Sequence, residues 1–191
     1  MRGDSLSEWR GILRSQCSEA PPRLSVEDAV TLYDSADINE LMHVAMLRRR
    51  SQVPGNEVTY LVDRNVNYTN VCTINCQFCS FYRPPEHPES YTQSIDEISE
   101  RLSELEAIGG SRGLMHGGVH PELKLEWYID LLSELSAKHP SIALDCFSPI
   151  EIEGISQVCG LPTKVVLTHL KEAGMHGLPG GGAEMLVVEV R

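Results

Sequence analysis

The sequence predicts an α/β protein of parallel βαβ units, about four of them, behind an N-terminal helical extension. Three observations carry this reading. From Val58 onward, short runs of β-forming residues alternate with amphipathic stretches of helix length, the pattern of a parallel sheet. Ahead of Val58 the apolar residues recur at helical spacing only. The chain has 191 residues, 41% hydrophobic and 23% charged, which suits one packed domain with a small extension. A closed (β/α)8 barrel needs roughly 250 residues, so the chain is short for one.

In chain order, Met1 to Pro22 is polar and ends in Pro21-Pro22, which predicts a loose arm. Ser25-Val26-Glu27-Asp28 is a capping-box variant that opens a short helix. Asp37 can cap a second helix, whose Ile38, Leu41, Met42, Ala45 and Met46 recur at three and four and predict a buried face. Arg48, Arg49 and Arg50 close that helix, where cations suit its C-terminal end. Pro54-Gly55-Asn56 is a turn. The β-rich run Val58 to Val62 predicts a first strand reaching about Val66. Ser94-Ile95-Asp96-Glu97 is a capping box, and the helix behind it presents Ile95, Ile98, Leu102, Leu105 and Ile108 before stopping at Gly109-Gly110. Gly113-Leu114-Met115 is a second strand. Leu125, Tyr128, Leu131, Leu132 and Leu135 mark the next helix, ended by Pro140. Ile142 to Phe147 is a third strand, a helix spans about Thr163 to Ala173, and a short fourth strand is expected around Gly177-Leu178. The predicted division is 1–57, arm and helical extension, and 58–191, the strand–helix core.

Lys plus Arg is 16 and Asp plus Glu is 27, a net charge of −11. Such an acidic surface argues against nucleic acid and anionic lipid as partners. No apolar run approaches the roughly 18–20 residues that span a bilayer. Met1 to Arg14 carries charges throughout and no apolar h-region, so a cytoplasmic location is expected.

Six cysteines are present: Cys17, Cys72, Cys76, Cys79, Cys146 and Cys159. In a reducing compartment, clustered cysteines more often bind metal than form disulfides. The scattered Cys17, Cys146 and Cys159 are read as plain thiols. Cys72, Cys76 and Cys79 have the spacing C-x3-C-x2-C and directly follow the first strand. Three thiolates in a tight loop can hold three irons of a [4Fe–4S] cluster, which leaves the fourth iron open to a small molecule. A zinc site with His87 as fourth ligand, and a chance grouping of thiols, stand as the alternatives at this point.

With Phe78 immediately before the last cysteine, this loop resembles the cluster-binding loop of the radical S-adenosylmethionine (SAM) enzymes. The wider run from Asp63-Arg64-Asn65-Val66-Asn67-Tyr68-Thr69-Asn70-Val71-Cys72 to Cys79-Ser80-Phe81-Tyr82-Arg83 is more specific. It is similar to the menaquinone-forming futalosine branch, and within it to the dehypoxanthine futalosine cyclase family. The similarity continues through Gly117-Gly118-Val119-His120-Pro121, Phe147-Ser148-Pro149 and Leu178-Pro179-Gly180-Gly181-Gly182-Ala183-Glu184.

The resemblance implies an α/β, partial TIM-type radical SAM barrel of about four βα units, with a [4Fe–4S] cluster and SAM as cofactors. Each unusual segment follows a predicted strand, so all four fall on the C-terminal rim where such barrels place their sites. It implies that Cys72, Cys76 and Cys79 hold the cluster. Gly117 and Gly118, which let backbone approach a ligand closely, would meet the amino-acid end of SAM. Phe78 and Tyr82 would lie near the adenine, though shielding of the cluster fits their positions equally well. Glu184 is a candidate contact to the ribose or methionine part. Glu151 is the candidate catalytic group, able to accept a proton or bind substrate hydroxyls, and Glu153 is read as a solvated loop carboxylate. His116 stands where the family favours glutamine and is read as a polar rim residue.

The implied reaction cyclises dehypoxanthine futalosine through a 5′-deoxyadenosyl radical, with a flavodoxin or ferredoxin as external electron donor. Competing readings are an aminofutalosine synthase-like enzyme and a non-catalytic iron–sulfur or zinc-binding module. About four units is half of eight. The expectation is therefore a fragment that carries the cluster half of a catalyst, with its last strand an exposed edge.

Overall fold

The computed structural model describes residues 5–77 and 79–179, with side-chain burial from Glu8 onward. The chain divides into two compact units, Met1–Thr59 and Tyr60–Arg191.

The first unit holds three helices, α1 (Ser5–Ser15), α2 (Val26–Ser35) and α3 (Ile38–Gln52). The expected loose arm is thus largely a helix. Trp9 and Leu13 lie one turn apart on α1 and are buried together with Leu32 of α2. Their i, i+4 spacing was present in the sequence but was masked by the charges around it. The two caps form as expected. Ser25 and Asp28 make a reciprocal capping box, and Asp37 Oδ1 accepts the Asn39 and Glu40 amides. The expected buried stripe of α3 does not form. Leu41 and Val44 pack against the small core, whereas Ile38, Met42 and Met46 are 64%, 61% and 49% exposed. A core of one Trp and two Leu can cover only one side of α3, and α1 fixes which. Arg10 anchors that side, 2.9 Å from Glu40, with its guanidinium 4.6 Å above the Trp9 ring.

The second unit runs β1 (Asp63–Asn67), α4 (Ile95–Ala107), β2 (Arg112–His116), α5 (Leu125–Lys138), β3 (Ala143–Cys146), α6 (Pro149–Cys159), α7 (Thr163–Glu172). The strands form one parallel sheet in the order β1-β2-β3, with Val66 opposite Met115 and Met115 opposite Cys146. Alternation sends Val66, Met115, Leu144 and Cys146 into the core beneath the helices. There they meet Ile98, Leu102 and Leu105 of α4, Leu131, Leu132 and Leu135 of α5, and Val166 and Leu170 of α7. The α4 and α5 faces are those the spacing predicts, except that α4 ends at Ala107 and leaves Ile108 70% exposed.

Three expectations are corrected. The first strand starts at Asp63, and Val58 and Tyr60 are 79% and 87% exposed. Among the described residues the β-rich run stays outside the ladder, apart from the Val62 carbonyl, which accepts the Ser111 amide at 3.1 Å, while the polar Asp63-Arg64-Asn65 pairs with Arg112-Gly113-Leu114, so pairing overrides propensity. Among the described residues there are three strands, and Gly177 makes one parallel bridge to Asp145 in place of a fourth. A helix, α6, stands where a loop was expected. Ser148 caps it by accepting the Glu151 amide, and Pro149 sits at its first position, an arrangement that suits Pro. Among the described residues no helix is long and apolar enough to cross a membrane.

Candidate cofactor site at the strand ends

The C-terminal ends of three parallel strands supply the segments singled out in the sequence. Beyond β1, Tyr68 to Val71 lead into the cysteine loop; beyond β2 comes Gly117-Gly118; beyond β3 come Phe147 and Ser148. Gly180 to Glu184, and hence the SAM contact expected of Glu184, lie outside the described residues, as does Phe78.

The cysteine loop is closed at its neck. The Cys72 amide donates to the Arg83 carbonyl at 3.0 Å, and the Arg83 amide donates to the Asn70 carbonyl at 2.7 Å. Inside the loop, Asn75 takes a left-handed φ of 54°, a conformation asparagine tolerates, and its side chain accepts the Tyr82 hydroxyl. Cys72, Cys76 and Cys79 are each partly exposed free thiols. The Val119 amide points at Cys72 Sγ from 3.4 Å, a donor that suits thiolate charge. These three soft donors, with no fourth cysteine in the loop, fit an iron–sulfur cluster with one open iron. His87, the expected zinc alternative, uses Nδ1 to accept the Glu89 amide at 3.1 Å. Among the described residues no three His, Cys, Asp or Glu side chains converge on a single-ion site.

The run Tyr68-Thr69-Asn70, on which the resemblance partly rested, has a local purpose. Thr69 Oγ1 donates to the Tyr91 carbonyl at 2.7 Å, and Asn70 accepts the Tyr91 amide at 2.8 Å and donates to the Glu89 carbonyl at 2.9 Å. The Gln93 amide adds a bond to the Tyr68 carbonyl at 2.8 Å. These bonds fasten residues 89–93 beside the loop neck.

The two glycines of the turn are required by close approach. A Cβ on Gly117 would fall within 2.7 Å of the Tyr68 ring, and one on Gly118 would fall on the Val71 backbone and 2.7 Å from Cys72 Cβ. The Gly118 amide donates to the Thr69 carbonyl at 3.1 Å, and the Thr73 amide to the Val119 carbonyl at 3.1 Å. The turn is thereby zipped to the cysteine loop.

Beneath both lies Glu151 of α6, 4% exposed. Its Oε1 accepts the Tyr68 hydroxyl at 2.6 Å and the Gly117 amide at 2.9 Å, and its Oε2 is 3.6 Å from His116 Nδ1. Burial, and then the Glu151 charge, push the Tyr68 phenol well above its usual range. Tyr68, Tyr128 and Phe147 stack edge to face around this group, with centroids 5.4–6.1 Å apart. Phe147 is fully buried at a left-handed φ of 68°, a conformation held by its surroundings.

The structure therefore brings together Cys72, Gly117, Gly118 and Glu151, and keeps Tyr82 on the loop above. Glu151 is a buried helical carboxylate rather than a loop group. Glu153, also helical, faces out and accepts from Gln157. Sequence reading missed Tyr68 as a partner of Glu151, 83 positions away. Its one available signal was an aromatic directly after a strand.

A family model for the Radical SAM superfamily matches residues 66–182. Over 169 residues the chain is 40% identical to the cyclic dehypoxanthine futalosine synthase of Halalkalibacterium halodurans, covering 88% of this chain and 46% of that protein. Over 187 residues it is 32% identical to the 5-amino-6-(D-ribitylamino)uracil–L-tyrosine 4-hydroxyphenyl transferase of Methanopyrus kandleri, covering 91% of this chain and 51% of that one. The crystal structure of HydG, a maturase of the [FeFe]-hydrogenase, aligns with a TM-score of 0.60 at 16% identity, over 94% of this chain and 47% of that one, a likeness of fold alone. The chain thus spans about half the length of the curated relatives it matches.

Proposed function

Because the chain belongs to the radical SAM superfamily, whose members use a [4Fe–4S] cluster and SAM, we propose that Cys72, Cys76 and Cys79 hold that cluster for a cyclase of menaquinone biosynthesis. The reaction in this reading converts dehypoxanthine futalosine to cyclic dehypoxanthinyl futalosine. The observation that carries it is the three-cysteine loop at the end of β1 in a chain 40% identical, over 88% of its length, to a protein of that name.

Cys72, Cys76 and Cys79 would hold the cluster, which with bound SAM would supply one-electron radical chemistry to the substrate. The chain's own residues bind, orient and exclude water. Gly117 and Gly118 present backbone without side chains toward the amino-acid end of SAM. Tyr82 would lie near the adenine, and the roles expected of Phe78 and Glu184 stay with the resemblance, since both lie outside the described residues. The floor of Tyr68, Tyr128 and Phe147 is dry, each ring at most 1% exposed, which keeps water from below. Single electrons come from a flavodoxin- or ferredoxin-like donor, in a cytoplasmic setting.

Anaerobic reconstitution with iron and sulfide tests the cluster. The expected result is a brown protein that loses its colour when any one of the three cysteines becomes alanine; a colourless protein sinks the reading. Added SAM and reductant should yield 5′-deoxyadenosine. Dehypoxanthine futalosine should then give the cyclised product by mass. Release of 5′-deoxyadenosine without that product would favour another aromatic substrate in the same superfamily, as the 32% identity to the hydroxyphenyl transferase would suit.

A further inference from the structure

Buried carboxylates are rare unless they are paired. Glu151, at 4% exposure, offers no free face to a ligand, and its partners come from two other strand ends. One oxygen takes both the Tyr68 hydroxyl of the cysteine-loop stem and the Gly117 amide of the glycine turn. The other faces His116, whose side chain is 30% exposed on the rim. Within this group the parts open to a ligand are the turn and His116, not the carboxylate.

We propose that Glu151 is a positioning residue: by holding the Gly117 amide and the Tyr68 hydroxyl on one oxygen, it fixes the glycine turn relative to the cysteine loop and so sets the affinity for SAM. This rests on the reading that the loop carries the cluster and the turn meets SAM. The geometry explains why the group is a carboxylate. Without Oε1, the buried Tyr68 hydroxyl and the part-buried Gly117 amide lose their acceptor together. The Tyr68 ring fills the space where a Gly117 side chain would be, so any movement of that ring moves the turn. The turn in turn bonds the loop through Gly118 to Thr69 and Val119 to Cys72. Glutamine keeps an Oε1 acceptor and loses only the charge that faces His116. Leucine keeps the bulk and loses the acceptor.

The test uses the full chain as wild type, Glu151→Leu, Glu151→Gln and Tyr68→Phe. Two quantities are read: hydrogen exchange of the Gly117 amide in the cluster-free chain, and SAM affinity by equilibrium dialysis after anaerobic reconstitution. The expected result is equal iron loading in all four. Glu151→Leu should speed Gly117 exchange and weaken SAM binding, each by about tenfold or more, as loss of a buried acceptor implies. Glu151→Gln should stay within about threefold of wild type, because a neutral acceptor is weaker than a charged one but still present. Tyr68→Phe should fall between them. Gly117 exchange and SAM affinity unchanged in Glu151→Leu overturn the proposal. If that variant does not fold, unchanged values in Tyr68→Phe overturn it instead. A wild type that loads iron but binds no SAM overturns the reading of the turn and this inference together. A wild type that binds SAM beside insensitive variants overturns this inference alone.

Discussion

Cysteines of this chain meet different fates, set by surroundings rather than by identity. Cys72, Cys76 and Cys79 are partly exposed on a loop, whereas Cys146 is fully buried at the end of β3. Burial, and then the Asp145 charge beside it, push the Cys146 thiol well above its usual range, so it stays a neutral core group. Replacing Cys76 with alanine should abolish iron uptake while leaving the denaturation midpoint of the cluster-free chain almost unchanged. Replacing Cys146 with serine should do the reverse: iron uptake is kept, and stability falls by about 1–3 kcal/mol because a hydroxyl enters an apolar site. Iron assay and urea titration separate the two outcomes. Phe147 extends the same logic. Its buried ring holds a left-handed backbone in place, so Phe147→Ala should cost about 3–5 kcal/mol in the same titration.

At the scale of elements, the caps and turns decide where chemistry stands. Helix α6 begins with Ser148 as cap and Pro149 at its first position, which places Glu151 in the first turn, directly below Gly117. Loss of the cap in Ser148→Ala should cost about 1 kcal/mol. The glycine turn is less forgiving. Gly118→Ala sets a methyl group against the Val71 backbone and Cys72 Cβ, and neither can yield without opening the loop. That variant should lose about 1–3 kcal/mol, read as a lowered denaturant midpoint. It should also load iron poorly, which a core mutation such as Leu132→Ala should not.

For the whole molecule, acid is the expected weak side. Three carboxylates at or near the surface have their pKa values lowered from 4.5 in the folded state: Glu89 by the Arg83 hydrogen bond and charge, Glu97 by the Ser94 amide and hydroxyl, and the half-buried Glu106 by the Ser141 hydroxyl and then His139. A carboxylate whose folded value is depressed adds stability that is fully present above its unfolded value. That stability is lost as pH falls through the folded value. The denaturant midpoint should therefore decline as pH drops below about 4.5, the ordinary glutamate value. Glu106→Gln should flatten that decline, since Glu106 ties α4 to Ser141 at 2.6 Å and to the buried His139 at 2.9 Å. The two proteins should differ from about pH 4.5 downward, and an equally steep decline in Glu106→Gln would refute the role given to Glu106.

The sequence by itself determined the parallel α/β class, the capping boxes at Ser25 and Ser94, the α5 face and the three-cysteine loop. Each is written in local spacing, which chemistry constrains within a few residues. It misplaced the first strand and the buried side of α3, because both depend on what lies opposite. A β-rich segment joins a sheet only where a strand lies alongside it, and an apolar stripe is buried only if a neighbour covers it. The union of Tyr68, Gly117, His116 and Glu151 was decided by tertiary structure alone. Those residues come from three strand ends up to 83 positions apart, and only the parallel register of β1, β2 and β3 brings the ends to one level. Local spacing can mark a donor or an acceptor, but not which of them will share one buried oxygen.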